Sequence, residues 1–86
     1  MFYVYVLRSL ADKKLYIGST RDLKRRLAEH NSGSSKSTKP RRPFELLYYE
    51  AYKAEADARS REKRLKLFGK AREGLMRRLS ASLKSQ

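Results

Sequence analysis

The 86 residues contain no cysteine and no tryptophan, and a single histidine, His30. Without cysteine, neither a disulfide nor a thiolate metal site can hold the chain together. With one histidine, a His-rich metal centre is excluded as well. No apolar run approaches the ~20 residues of a membrane span. The apolar start FYVYVL lacks a basic leader and a small-residue cleavage site, so it does not read as a signal peptide. A soluble cytoplasmic protein without a membrane partner is the expectation. Acid is scarce too: 9 Asp and Glu stand against 22 Lys and Arg, for a net charge of +13 at pH 7. This length allows one small domain. So much charge on it sets up a strong positive field, whose commonest partner is nucleic acid.

Phe2 to Leu7 is β-branched and aromatic and predicts a strand, followed by a polar connection and a second strand, Leu15-Tyr16-Ile17-Gly18. So short a connection predicts an antiparallel hairpin. A turn centred between Leu10 and Ala11 would set Tyr5 directly opposite Tyr16, with both side chains on one face. The next segment predicts a helix with Ser19 or Thr20 as N-cap and Asp22 in its first turn. It turns Leu23 and Leu27 inward and ends near Asn31-Ser32-Gly33. Residues 32–43, SGSSKSTKPRRP, hold both prolines and four basic residues and form a loop. Phe44 to Tyr52 predicts a third strand with Leu46, Tyr48 and Glu50 on one face. Ala54, Ala58 and Leu65 mark a helix to about Leu67, and Gly69 interrupts. A basic helix with Leu75, Leu79 and Leu83 follows over roughly 71–83. The order ββαβαα predicts one α+β domain over 1–86, a small three-stranded antiparallel sheet flanked by helices, its core within about 2–67.

Tyr3-Val4-Tyr5 and, eleven residues after Tyr5, Tyr16-Ile17-Gly18 resemble the two tripeptides that name the GIY-YIG nuclease superfamily. The likeness continues through Arg26 and His30 on the following helix and Glu62 on the next. In size, and in STKPRRP, LLYYE and SREKRLK, the chain looks most like the short, single-domain bacterial branch, whose members are largely uncharacterised. Tyr3 stands where the first tripeptide has glycine, and no asparagine follows Asn31, although some family nucleases carry a late one. The resemblance implies a metal-dependent endonuclease that hydrolyses phosphodiesters of DNA. It makes Tyr5, Tyr16, Arg26, His30 and Glu62 the catalytic set. A tyrosine hydroxyl would help to deprotonate the attacking water, and Glu62 would hold Mg²⁺ or Mn²⁺.

The residues can be weighed on their own chemistry. An unperturbed tyrosine, with a pKa near ~10, is a poor base at neutral pH unless a cation stabilises the phenolate, and aromatic pairing across strands is its plainer role. Arg26 lies about 60° to one side of Leu23 on a helical wheel, at the border of the buried stripe. Its planar fork suits a phosphate. His30 projects inward, as a packed histidine or as a proton carrier. Glu62 falls within about 60° of both Ala58 and Leu65. An inward carboxylate needs a partner: Arg26, or a hard divalent cation completed by waters and phosphate oxygens. Of the other acids, only Glu50 is kept as a possible site residue.

Arg21, Lys24, Arg25, Lys36, Lys39, Arg41 and Arg42, with the hydroxyls of Ser37 and Thr38, suit contacts to a phosphate backbone. Arg72, Arg77, Arg78 and Lys84 extend the charge. No segment resembles a base-reading helix, so shape or backbone readout is expected, with DNA favoured over RNA. The rival reading is a non-catalytic nucleic-acid-binding module of the same fold, RNA-binding in one version, because a fold specifies activity less tightly than it specifies architecture.

Overall fold

In the computed structural model, which describes residues 1–84 (side chains to Ser82), β1 (Phe2–Ser9) and β2 (Leu15–Thr20) form the antiparallel hairpin. α1 (Leu23–Ser32) follows. A 3₁₀ turn at Lys39–Arg41 leads into β3 (Phe44–Tyr52), and α2 (Glu55–Leu67), α3 (Gly69–Arg78) and α4 (Ser80–Lys84) complete the chain. The strand order is β2-β1-β3, with β3 also antiparallel to β1, so β2 is an open edge. This is the expected α+β architecture. The side chains of Leu83 and Lys84 lie outside the described residues.

The hairpin register differs from the symmetric one expected. Tyr5 pairs with Gly18, and Tyr16 with Leu7. The strands run on to Ser9, which holds the turn together. Its hydroxyl accepts from the amides of Ala11 and Asp12 and donates to the Arg41 carbonyl, while Lys13 takes a left-handed φ of 64°. The displacement is two residues, so faces are preserved, whereas a one-residue slip would have inverted them. Tyr5 and Tyr16 still share a face, as diagonal neighbours.

α1 begins later than expected. Thr20 is still paired to Tyr3 as the end of β2, so it is not free to cap. Asp22 takes that role, accepting from the Arg25 amide at 3.0 Å. The C-terminus ends as expected at Gly33, whose φ of 87° and amide bond to the Glu29 carbonyl close the helix in the left-handed conformation.

A β-bulge corrects the reading of β3. Val6 pairs with Tyr48 but Leu7 with Leu46, leaving Leu47 as the extra residue. Leu46 therefore lies on the α1 face with Tyr5 and Leu7, while Leu47 and Tyr48 pack on the other. The single face expected for Leu46, Tyr48 and Glu50 is split between the two sides of the sheet.

Each face carries its own core. Tyr5, Leu7 and Phe44 pack with Tyr16, Leu23, Leu27 and Leu46 beneath α1. Val4, Val6 and Ile17 pack with Ala58 and Leu65 of α2 and with Leu75 and Leu79. The C-terminal helix expected over 71–83 is broken: α3 ends with Leu79 as C-cap, and α4 follows. Ala54, expected in the buried stripe of α2, is its exposed N-cap.

Candidate functional site

Tyr5 is held in place by its neighbours on both strands and on α1. Its ring lies over Gly18, where an added methyl would collide with the Tyr5 hydroxyl. Glycine is thus required there by close approach rather than by a turn. The Tyr5 hydroxyl is 2.9 Å from Nε2 of His30, and His30 Nδ1 is 2.7 Å from the Thr38 hydroxyl. Tyr5 and Thr38 are each 1% exposed and His30 is 0%. Thr38 can donate to the Ser35 carbonyl. Hydrogen-bond directions then run from Tyr5 to a neutral His30, from His30 Nδ1–H to Thr38, and on to Ser35. Burial, joined by the nearby Arg26 charge, lowers the His30 pKa and keeps the ring neutral. Burial likewise pushes the Tyr5 phenol up to about 12, although Arg26 pulls it down.

Tyr16 stacks on Tyr5 with ring centroids 6.3 Å apart and lies 4.9 Å from the His30 ring. It is half-buried, and its hydroxyl has no hydrogen-bond partner among the described residues. Arg26 sits above this pair. Its guanidinium bonds Glu29 at 3.0 Å and stays within electrostatic reach of both tyrosine hydroxyls. Its side chain is 32% exposed, so it faces both the tyrosines and solvent.

Glu62 approaches from the other side of the sheet, on α2, at the open edge of β2. Its carboxylate accepts from the Ser19 hydroxyl at 2.6 Å and from Lys66 Nζ at 2.7 Å. The expected alternative pairing with Arg26 does not form. Burial opposes ionisation of Glu62, but Lys66 and Ser19 outweigh it and hold the carboxyl below its usual value. Lys66 Nζ lies 5.9 Å from the Tyr16 ring centroid, and the Glu62 charge is felt at Tyr5. The five candidates therefore gather around one edge strand, with Tyr5, Tyr16, His30 and Arg26 on one side and Glu62 on the other.

Among the described residues, no three His, Cys, Asp or Glu side chains cluster as a metal cage. Glu62 would be the one carboxylate for a divalent cation, with the Ser19 hydroxyl as a second hard oxygen. It also lines a cavity of about 300 Å³ with Ser19, Glu55 and Arg59. The donor set fits a weakly held, water-rich Mg²⁺ or Mn²⁺. The Lys66 ammonium now supplies the positive charge at that carboxylate.

The expected phosphate contacts divide. Arg21, Lys24, Lys36 and Lys39 are exposed, Arg21 with its guanidinium 5.5 Å from the Phe2 ring centroid. Arg25 is exposed beside Glu29. Arg41 is tied to Asp12 at 2.8 Å, and Arg42 bonds the carbonyls of Lys39 and Ser32. Thr38 departs from expectation, since its hydroxyl is buried against His30 and not offered to a ligand. Glu50 is engaged elsewhere, taking bonds from Arg61, Tyr48 and Tyr52.

Ser19 and Lys66 were not anticipated as site residues, and Thr38 was expected among the phosphate contacts rather than inward against His30. Lys66 had a legible signal, its i+4 spacing from Glu62. Ser19 alternates with Gly18 and so points toward α2. Nothing local marks Thr38.

Comparison with known proteins decides the family. The family model of the GIY-YIG catalytic domain matches residues 1–74. The chain belongs to the GIY-YIG family. Among similar GIY-YIG relatives, a UPF0213 protein of Bacillus pumilus is 43% identical over 74 residues, covering 85% of this chain and 74% of the relative. A UPF0213 protein of Streptococcus pyogenes is 52% identical over 61 residues, covering 70% of this chain and 65% of that relative, just under two thirds of its length. The solution structure of the UPF0213 protein BH0048 from Bacillus halodurans superposes with a TM-score of 0.55 at 35% identity, covering 88% of this chain and 83% of that one. The GIY-YIG fold, a nuclease-type fold, and likeness to short bacterial proteins follow. No helix among the described residues is long and apolar enough to cross a membrane.

Proposed function

We propose that this GIY-YIG chain is a metal-dependent endonuclease that hydrolyses phosphodiester bonds of nucleic acid, DNA rather than RNA. One observation carries the reading: two tyrosines, a neutral histidine, an arginine and an ionised glutamate from four different elements gather at the edge of β2. A phosphate on this edge would meet Arg26, whose fork neutralises charge developing on the phosphoryl oxygens. Tyr16, half-exposed with an uncommitted hydroxyl, would contact the attacking water. Tyr5, buried and bonded to His30, would hold the aromatic pair in position. His30, kept neutral by burial, would accept the Tyr5 O–H at Nε2 and so fix the tyrosine's orientation, with Thr38 holding the ring from its other side. A divalent cation at Glu62 would supply Lewis-acid stabilisation to the phosphate and lower the pKa of water.

The test is incubation of purified protein with supercoiled plasmid and Mg²⁺ or Mn²⁺, beside Glu62→Gln. Nicking that needs the cation and disappears in the variant is expected. Absent nicking, or nicking that survives the substitution, overturns the reading. A second reading, a binding module without hydrolysis, draws on the Lys66–Glu62 pair, because a carboxylate already neutralised by an ammonium has less need of a cation. Plasmid binding without nicking in either metal is its signature.

A further inference from the structure

On the flank of α1 away from Arg26 there is a groove of about 560 Å³ between that helix and β3. Tyr3 and Tyr49 form one wall, with ring centroids 5.9 Å apart and planes at 66°. Leu27 and Leu46 close the floor, and Arg21 and Lys24 stand at the rim. The one acid lining it, Asp22, has its carboxylate directed to the Arg25 amide as the helix cap. Tyr49 is 51% exposed, with its ring offered to the groove. Tyr3 occupies the position where the family's first tripeptide has glycine, and its ring supplies an aromatic surface that a glycine there would lack. Arg21 lines both this groove and the Glu62 cavity, which opens on the α2 side of the sheet.

We propose that this groove receives an unstacked nucleobase of a single-stranded nucleic acid, lying against Tyr49, with the flanking phosphates on Arg21 and Lys24. Every base offers a π-face to a tyrosine, so such a platform binds strands without reading sequence. The aromatic wall gives the base a contact, the cationic rim attracts a phosphate and repels a cationic peptide, and Arg21 stands between this groove and the Glu62 cavity. The proposal rests on the hydrolase reading for its biological meaning and narrows the substrate to nucleic acid with an unpaired stretch beside the cut.

The experiment is fluorescence anisotropy without divalent cation, so binding is measured apart from cleavage. The probes are a labelled single-stranded oligodeoxynucleotide, its duplex, and an abasic strand of equal length. Wild-type protein should bind the base-bearing strand more tightly than the abasic one. Tyr49→Ala should weaken the former by about tenfold or more and the latter hardly at all, with Tyr49→Phe restoring affinity. Equal wild-type affinity for the base-bearing and abasic strands overturns the proposal without recourse to any variant. So does an equal loss on both strands in Tyr49→Ala, once thermal unfolding shows that variant folded. Failure to nick plasmid would overturn the hydrolase reading alone and leave the base dependence standing.

Discussion

Tyr5 and Tyr16 share one face of the sheet but have different environments. The Tyr5 hydroxyl is buried and shared with His30, while that of Tyr16 is uncommitted and reachable. Tyr16→Phe is therefore expected to abolish nicking and leave urea unfolding unchanged. Tyr5→Phe leaves Nε2 of His30 buried without a partner and should cost about 1–3 kcal/mol of stability, seen as a lower urea midpoint. Arg26→Ala, removing the guanidinium beside both tyrosines, should lower the nicking rate about a hundredfold to a thousandfold. His30 adds a pH dependence. Its folded pKa lies below the ordinary 6.5. As pH falls through about 6.5 the unfolded chain gains a proton that the folded chain refuses. Stability is thus full above that value and falls below it. The depressed carboxyls of Asp12, Glu29, Glu50 and Glu62 act only below their ordinary values of 3.8 and 4.5. The loss between about pH 6.5 and 4.5 belongs to the histidine. A urea midpoint lower at pH 5 than at pH 7 in wild type, and unchanged in His30→Gln, is the expected result. The inward position of His30 was legible from helical spacing. Its partner Thr38 was not, because residues in an irregular loop carry no periodicity that says which way they point.

At the scale of elements, α2 makes two kinds of ion pair, one to β3 and one within its own first turns, and they should differ in worth. Arg61 meets Glu50 with side chains 24% and 15% exposed, and Tyr48 and Tyr52 fill the remaining acceptor positions of the carboxylate. Arg59 meets Glu55 with side chains 73% and 51% exposed. Removing one partner of a desolvated network leaves the others unpaired, so Glu50→Ala should cost about 3 kcal/mol. Glu55→Ala should cost under about 1 kcal/mol. Equal midpoints for the two variants in urea would show that burial at β3 is not what fixes α2. Glu50 reaches Arg61 only because the bulge at Leu47 turns it to the α2 face. That bulge was hidden in the sequence: LLYYE contains apolar and aromatic residues throughout, so alternation alone does not reveal the extra residue. Strands, helix order and the Gly33 stop were legible because each has a local chemical signature. The break at Leu79 was not, since leucines at spacings of four read as one continuous stripe.

The molecule as a whole is governed by its charge, and the folded arrangement decides how much of it is available. Arg8, Arg41, Arg61 and Lys66 are engaged with Glu45, Asp12, Glu50 and Glu62. Lys36 and Lys39, on the loop between α1 and β3, are exposed and form no ion pair among the described residues. The sequence shows every one of these as a cation of equal standing; only the fold sorts those already committed from those offered to a polyanion. Binding to duplex DNA should weaken steeply with salt, because each phosphate neutralised releases condensed counterions. If Lys36 and Lys39 each contact a phosphate, replacing either by Gln should reduce the slope of log affinity against log salt by about 0.9. Arg41→Gln should change the slope less, because its guanidinium is held by Asp12 and the Leu15 carbonyl, and should lower thermal stability instead by loosening the turn of the hairpin. Titrations of the three variants over a range of salt, beside their melting temperatures, separate the two classes. A slope change for Arg41→Gln as large as for Lys39→Gln would mean that the Asp12 pair opens when nucleic acid arrives, placing that turn within the binding surface.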